Sequence, residues 1–215
     1  MVNSNSILGI IPLGSGNGLA RHLRIPQNTN KALRLLNTLN SKKIDSCSAN
    51  DEFFINVSGI GYDAHISDCF AKTKKRGMRT YIKLILSEWW TYKIKKYRIE
   101  INDKMVYNDK AVQISFANGT QFGNNVIISP KSVENDGLME LCILKPFHFY
   151  EIPYMLLGLA TRKFHRNKRM KIIRCSEAVI KSENAKTHLD GEPKELGNSI
   201  KLKVHPKSIN IITID

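Results

Sequence analysis

Two carboxylates separated by one glycine, Asp190 and Glu192 in His188-Leu-Asp-Gly-Glu-Pro193, are the residues of this chain best suited to moving a proton. The glycine permits a sharp turn, so both side chains could face one cleft, one accepting a proton from a substrate hydroxyl while the other orients it. The same residues also suit a hairpin loop whose acids are merely solvated. A second acidic segment, Glu134-Asn-Asp-Gly-Leu-Met-Glu-Leu141, sets Asp136-Gly137 just before a strand. One carboxylate and nearby main-chain carbonyls there could surround a hard cation such as magnesium, although Asn-Asp-Gly is also a common turn. A third, Val57-Ser-Gly-Ile-Gly-Tyr-Asp-Ala64, joins two glycines to Tyr62 and Asp63 at a strand end, or is a tight connection into a helix.

A phosphate site has a separate candidate. Pro12 to Leu23 reads PLGSGNGLARHL, with Gly14, Gly16 and Gly18 between the β-branched run Ile7 to Ile11 and a helical segment. Such a strand, loop and helix start can bring backbone N–H groups close to an anion. No Lys-Ser or Lys-Thr follows the last glycine, which excludes a Walker A loop. Leu19 occupies the third glycine position of the dinucleotide fingerprint, which excludes that as well. A plain glycine-rich connection remains the competing reading.

These segments sit among recognisable elements. Helices are predicted at Leu19 to Arg24, ending before Pro26, and around Ala32, Leu35, Leu36 and Leu39, with Asn30 as N-cap. From residue 43 short β-rich runs follow: Lys43 to Ser48 and Phe53 to Val57 as a hairpin about Asn50-Asp51, then Tyr97 to Ile101, Met105 to Tyr107, Val112 to Phe116, Val126 to Ile128, Met139 to Leu144, Met170 to Ile173, Ala178 to Lys181, Ser199 to Val204 and Ile209 to Ile214. Helices at Thr80 to Tyr92 and Phe149 to Phe164 interrupt them. Many short strands imply an antiparallel sandwich or barrel. A lone strand, loop and helix at the start cannot make a parallel sheet, so further chain is expected upstream of Met1 or from a partner.

The 215 residues carry 33 Lys and Arg against 19 Asp and Glu, a net charge of +14, which calls for anionic partners such as nucleic acid, membrane or polyphosphate. The charge gathers at Lys72, Lys74, Lys75, Arg76 and Arg79, and again across Arg162 to Arg174, each beside an apolar stretch rich in Tyr, Trp and Leu. That suits an anionic membrane surface, or two helices with solvated basic faces. No apolar run has the roughly 18 residues of a spanning helix and no secretory signal opens the chain, so a cytoplasmic protein, peripheral at the inner membrane face, is expected. Cys47, Cys69, Cys142 and Cys175 show no C-x-x-C spacing and are expected to be reduced and mostly buried. No nucleic-acid motif is present, so no nucleic-acid partner is expected.

In order along the chain stand PLGSGNGLARHL, N-V-S-G-I-G-Y-D-A from Asn56, A-N-G from Ala117, N-D-G-L-M-E-L and L-D-G-E-P. This set resembles the diacylglycerol kinase catalytic-domain family, which includes bacterial lipid kinases and the sphingosine and ceramide kinases. The resemblance implies an α+β chain: residues 1–42 as the last strand, loop and helices of an α/β nucleotide-binding domain, 43–205 as a mainly antiparallel β-sandwich with a few helices, and 206–215 as a strand returning to the first domain. It implies ATP contacts at Gly14, Ser15, Gly16 and Asn17, with Gly18 departing from the usual Asp. It implies that Asp190 or Glu192 is the general base for a lipid hydroxyl, and that a structural magnesium maps onto Asp136 with the main-chain oxygens of Val133 and Leu138. ATP with its own Mg2+ and a diacylglycerol-like or sphingoid lipid would be the reactants, and a homodimer is left open. The family's G-G-D-G-T signature occurs nowhere in these residues. The chain is therefore expected to be truncated and to have little or no kinase activity alone. A non-catalytic lipid- or membrane-binding β-domain is the alternative.

Overall fold

Apolar residues at every second position decide how the strands stack. The computed structural model describes residues 1–73, 77–183 and 186–214. Lys74, Lys75 and Arg76 of the first basic cluster lie outside the described residues. In chain order the elements are β1 (Ile7–Leu8), α1 (Gly18–His22), α2 (Thr29–Leu36), β2 (Ser41–Ala49), β3 (Glu52–Phe54), β4 (Val57–Gly61), α3 (Tyr62–Ala71), α4 (Met78–Glu88), β5 (Lys95–Ile101), β6 (Lys104–Ala111), β7 (Gln113–Ala117), β8 (Met139–Leu144), α5 (Ile152–Ala160), β9 (Met170–Cys175), β10 (Glu177–Lys181), β11 (Thr187–Leu189), β12 (Glu192–Lys194) and β13 (Ser199–Ile212). Short 3-10 turns, Phe149–Glu151 and Phe164–Arg166, flank α5.

Two sheets face each other. The first runs β3-β2-β13-β10-β5-β6, with β1 alongside β13 in parallel; the second runs β12-β11-β4-β7-β8-β9 and is antiparallel throughout. This is the α+β class. In β8, Met139, Leu141 and Ile143 enter the core between the sheets, while Cys142 and Leu144 enter a second core on the other face, beneath α3, α4 and α5. A sheet covered on both faces needs a continuous apolar run, and Leu141 to Leu144 supplies one. In β5, Tyr97 and Ile99 point inward while Lys96 and Arg98 face water. A third core packs Ala20, Leu23, Ile25 and Ala32 of the N-terminal helical region on Ile44 of β2 and Ile209 and Ile211 of β13.

Several expectations change. Asn28, not Asn30, caps α2, its Oδ1 accepting the Lys31 N–H at 3.1 Å. Phe53 to Val57 is not one strand: β3 ends at Phe54 and β4 begins at Val57 in the opposite sheet. Val126 to Ile128 is a loop holding a single bridge, Gln121 to Ile127. Ser199–Val204 and Ile209–Ile214 are parts of one strand, because Pro206, which lacks an N–H for the ladder, sits in a register shift between His205 and Ile209, with Lys207 at φ 50°. The stretch Phe149 to Phe164 is helical in three pieces rather than one. Cys47, Cys142 and Cys175 are buried free thiols, and Cys69 is partly exposed.

Candidate functional site

Asp190 (φ 49°) and Gly191 (φ 93°) are the two turn residues between β11 and β12. Positive φ at both is the type I′ condition, which Asp-Gly meets readily. Although Asp190 stands at the surface, its carboxylate turns back onto the chain: Oδ2 accepts the Ile55 N–H and Oδ1 the Asn56 N–H, each at 2.9 Å. Its own N–H donates to Ser58 Oγ at 3.0 Å. Crowding by surrounding protein pushes the carboxyl above its ordinary pKa; the two amides and His188 oppose the rise, and Glu192 adds to it. Glu192 is exposed, across the ladder from Leu189. The two acids therefore differ in environment: one is anchored, the other free in solvent.

One residue before Leu189, His188 is only 2% exposed. Gly191 donates its N–H to Nδ1 at 3.1 Å, so Nδ1 is the acceptor and Nε2 carries the proton, donating to Asp63 Oδ2 at 3.3 Å. Asp63, 6% exposed in the first turn of α3, also accepts from Ser115 Oγ at 3.3 Å and from the Ala64 N–H at 2.8 Å. Gly59 makes room for this carboxylate, since a Cβ there would lie 2.3 Å from Asp63 Oδ2.

Asp63 opens onto a cavity of about 260 Å3 between the second sheet and α3, α4 and α5. Its walls are apolar, including Ile66, Ile85, Trp89, Val126, Met155 and Phe164. Among the described residues Asp63 is the only charged one lining it, with Gln113 beside it. Trp90 and Phe149, both of which line the cavity, are exposed, as are Tyr154 and Leu157 of α5, and Trp90 packs on Phe149 with centroids 5.1 Å apart. Exposed Arg162, Lys163, Arg166 and Lys168 follow α5. Three other cations of the basic clusters are paired: Lys72 with Asp68, Arg169 with Glu151, and Arg174 with Asp136 and Glu140.

The glycine loop lies on the other side of a strap, residues 121–126. Gly16 O accepts the Asn124 N–H at 3.0 Å, and Asn17 bridges to Gly123. Asn17 stands at φ 50° with its Nδ2 on Gln27 Oε1 at 3.2 Å; Gly14 and Ser15 are exposed. A Cβ on Gly18 would meet Phe122 O at 2.5 Å and Asn56 Nδ2 at 2.6 Å, which explains glycine where the family usually has Asp. Asn56 thus joins the two candidate segments: its N–H holds Asp190, and its Nδ2, bonded to Gln121 O at 3.1 Å, abuts Gly18. Phe122 is shared too, its ring lining the cavity and lying 6.3 Å from the His188 ring.

The third segment stands apart. Asp136 Oδ1 accepts the Leu138 N–H at 3.0 Å, and its other oxygen pairs with Arg174. Val133 is exposed. With a guanidinium on the carboxylate, these residues as arranged do not fit a magnesium ion, and no chemical step is routed through one. Sequence reasoning missed the Asp63–His188 link and the role of Asn56; Asp63 and His188 are 125 residues apart, and no local pattern marks such a pair.

The comparisons with known proteins agree with this fold. The family model for the diacylglycerol kinase catalytic domain matches residues 2–49, and the one for the YegS C-terminal NAD kinase beta sandwich-like domain matches residues 56–213. The chain belongs to the family of the YegS C-terminal NAD kinase beta sandwich-like domain. Within that family it is 28% identical over 189 residues to a protein of Chromohalobacter salexigens named "Probable lipid kinase YegS-like", covering 86% of this chain and 60% of that one. A protein of Pectobacterium atrosepticum with the same name is 29% identical over 206 residues, covering 94% of this chain and 67% of that one. The chain thus spans about two thirds or less of the length of these family members. In fold it is similar to a crystal structure titled as that of a "putative diacylglycerol kinase" from Bacillus anthracis, with a TM-score of 0.75 and 22% identity, covering 96% of this chain and 68% of that one.

Proposed function

We propose that this chain supplies the lipid site and the proton acceptor of an ATP-dependent lipid kinase, which transfers the γ-phosphate to the hydroxyl of a diacylglycerol-like or sphingoid lipid. The observation that carries the reading is the apolar cavity whose only charged wall residue among the described residues, Asp63, is hydrogen-bonded through His188 to the Asp190 turn. A hydrocarbon chain fits such walls, and burying one favours binding by about 0.8 kcal/mol per CH2. The lipid hydroxyl would then lie near Asp190, with the nucleotide reached through the glycine loop, Gly14 to Asn17, across Asn56. As the hydroxyl oxygen bonds to the γ-phosphorus, its proton passes to Asp190, the bond to the bridging oxygen breaks, and ADP leaves. Magnesium entering with ATP would supply charge neutralisation. We assign the proton to Asp190 over Glu192 because the Ile55 and Asn56 amides fix its position.

Membrane contact belongs to the same proposal. Trp90, Phe149, Tyr154 and Leu157, close to the cavity and to exposed Arg162, Lys163, Arg166 and Lys168, suit an anionic bilayer from which a lipid enters. Among the described residues no helix is long and apolar enough to cross a membrane.

The test assays γ-phosphate transfer to diacylglycerol and sphingosine in anionic vesicles. The 215 residues alone should transfer little, and the same residues joined to a G-G-D-G-T-bearing N-terminal segment of a family member should transfer well. Vesicle binding by the joined protein with no transfer to either lipid would favour the non-catalytic lipid-binding reading.

A further inference from the structure

The outer wall of the cavity holds a cluster that the kinase reading does not use. His65 and Cys69 stand four residues apart on α3 and so share one face, towards Glu88, the last residue of α4. His65 Nε2 lies 2.9 Å from Glu88 Oε2 and 3.8 Å from Cys69 Sγ, and the three potential ligand atoms fall within 4.8 Å of one another. A tetrahedral zinc ion with bonds of about 2.0–2.3 Å sets neighbouring ligand atoms about 3.3–3.7 Å apart, and the two measured separations bracket that range. All three residues are partly buried, which leaves room for water as a fourth ligand.

We propose that His65, Cys69 and Glu88 bind one zinc ion, through Nε2, Sγ and a carboxylate oxygen, and that the ion clamps α4 to α3. Thiolate, imidazole and carboxylate together suit zinc better than magnesium or calcium, which take oxygen ligands. On binding, the Cys69 thiol proton leaves to solvent, and the His65 ring proton sits on Nδ1, so that the imidazole ligates in its neutral form. The surrounding groups are compatible with an added cation. Lys72 and Lys186 are both paired with Asp68, and the Tyr62 and Tyr92 rings, with centroids 6.3 and 5.5 Å from the His65 ring, wall the site on its inner side. Ile66 of α3 and Ile85 and Leu86 of α4, neighbours of the ligands in sequence, line the cavity, so the clamp would fix the separation of two walls of the lipid site.

The experiment uses the untagged 215-residue chain with zinc alone, and cobalt as a spectroscopic stand-in. The expected result is one ion per chain, a sulfur-to-cobalt charge-transfer band with the visible bands of a four-coordinate ion, and a zinc-dependent rise in Tm. Cys69→Ser should abolish the band, and either Cys69→Ser or Glu88→Gln should weaken zinc binding by more than the roughly 10–100-fold typical of losing a supporting contact. Glu88→Gln keeps the reading testable should the cysteine variant fail to fold. No stoichiometric zinc binding by the unaltered chain, or a cobalt–sulfur band that survives in Cys69→Ser, overturns the proposal. Neither outcome depends on kinase activity.

Discussion

The first sheet turns Lys96 and Arg98 of β5 to water behind Tyr97 and Ile99, whereas the second, at β7 and β8, has no wet face. Both share the core between them. The outer face of the second sheet is buried as well, apolar at Ala117, Cys142 and Leu144 and polar at Gln113, Ser115 and Glu140, and three helices cover it without filling the space, leaving the cavity. A sheet face open to water encloses no apolar space. One roofed by helices can also house a ligand, and here the ligand space and the Asp63, His188 and Asp190 connection lie on the same sheet.

The sharpest test of that contrast is chemical. In the protein completed with a G-G-D-G-T segment, Asp190→Asn should lower kcat by about 100- to 10,000-fold, the usual worth of a general base, with little change in unfolding midpoint. Glu192→Gln should cost under about tenfold. A larger loss from Glu192→Gln would move the proton acceptor from the anchored acid to the solvated one. Next come paired truncations read by urea unfolding. Phe116→Ala, between the sheets and against Phe54, should cost about 3–5 kcal/mol. Ile85→Ala, on a wall that already borders empty space, should cost about 1 kcal/mol. Equal costs would mean that the two cores are packed alike and the cavity is not a real feature of the wall.

The same contrast marks what could be read from the chain. Tyr97 to Ile101, Val112 to Phe116 and Met139 to Leu144 are legible because period-two patterning and continuous apolar runs report local burial. The break expected between Val204 and Ile209 does not occur, because a register shift around Pro206 keeps both runs within β13. Val126 to Ile128 has strand composition, yet it is spent on the strap beside the glycine loop. Asp190 is legible through Asp-Gly, a turn signal. Its partners, the Ile55 and Asn56 amides, are 135 and 134 residues away and follow only from how β4 and β11 pair.

Two smaller effects refine the picture. Val126→Phe, projecting into the cavity, should weaken binding of a long-chain diacylglycerol about tenfold, near 1.4 kcal/mol, as read by fluorescence of Trp89 in the cavity wall. Unchanged affinity would place the lipid elsewhere. The smallest concerns His22 of α1: burial lowers its pKa below 6.5, partly offset by Glu134 at 3.4 Å, while Lys42 adds to the lowering.

 The folded protein therefore binds that proton less readily than the unfolded chain, so stability should fall as pH drops below 6.5, with His165 acting in the same direction. His22→Gln should make the fall shallower in urea titrations between pH 7 and about pH 5. An unchanged slope would show that the His22 contact with the sandwich side of the molecule carries no proton linkage.

The pairing of β1 with β13 has a mechanical meaning. Only two residue pairs, Ile7 with Asn210 and Leu8 with Ile211, tie the strand before the glycine loop to β13, whereas eight pairs tie β13 to β2. Under tension, or during partial opening, the thin seam should peel before the thick one. Amides of β1 should then exchange with solvent well ahead of those of β2, and the glycine loop would come away from its strap while the Asp63, His188 and Asp190 connection stays intact.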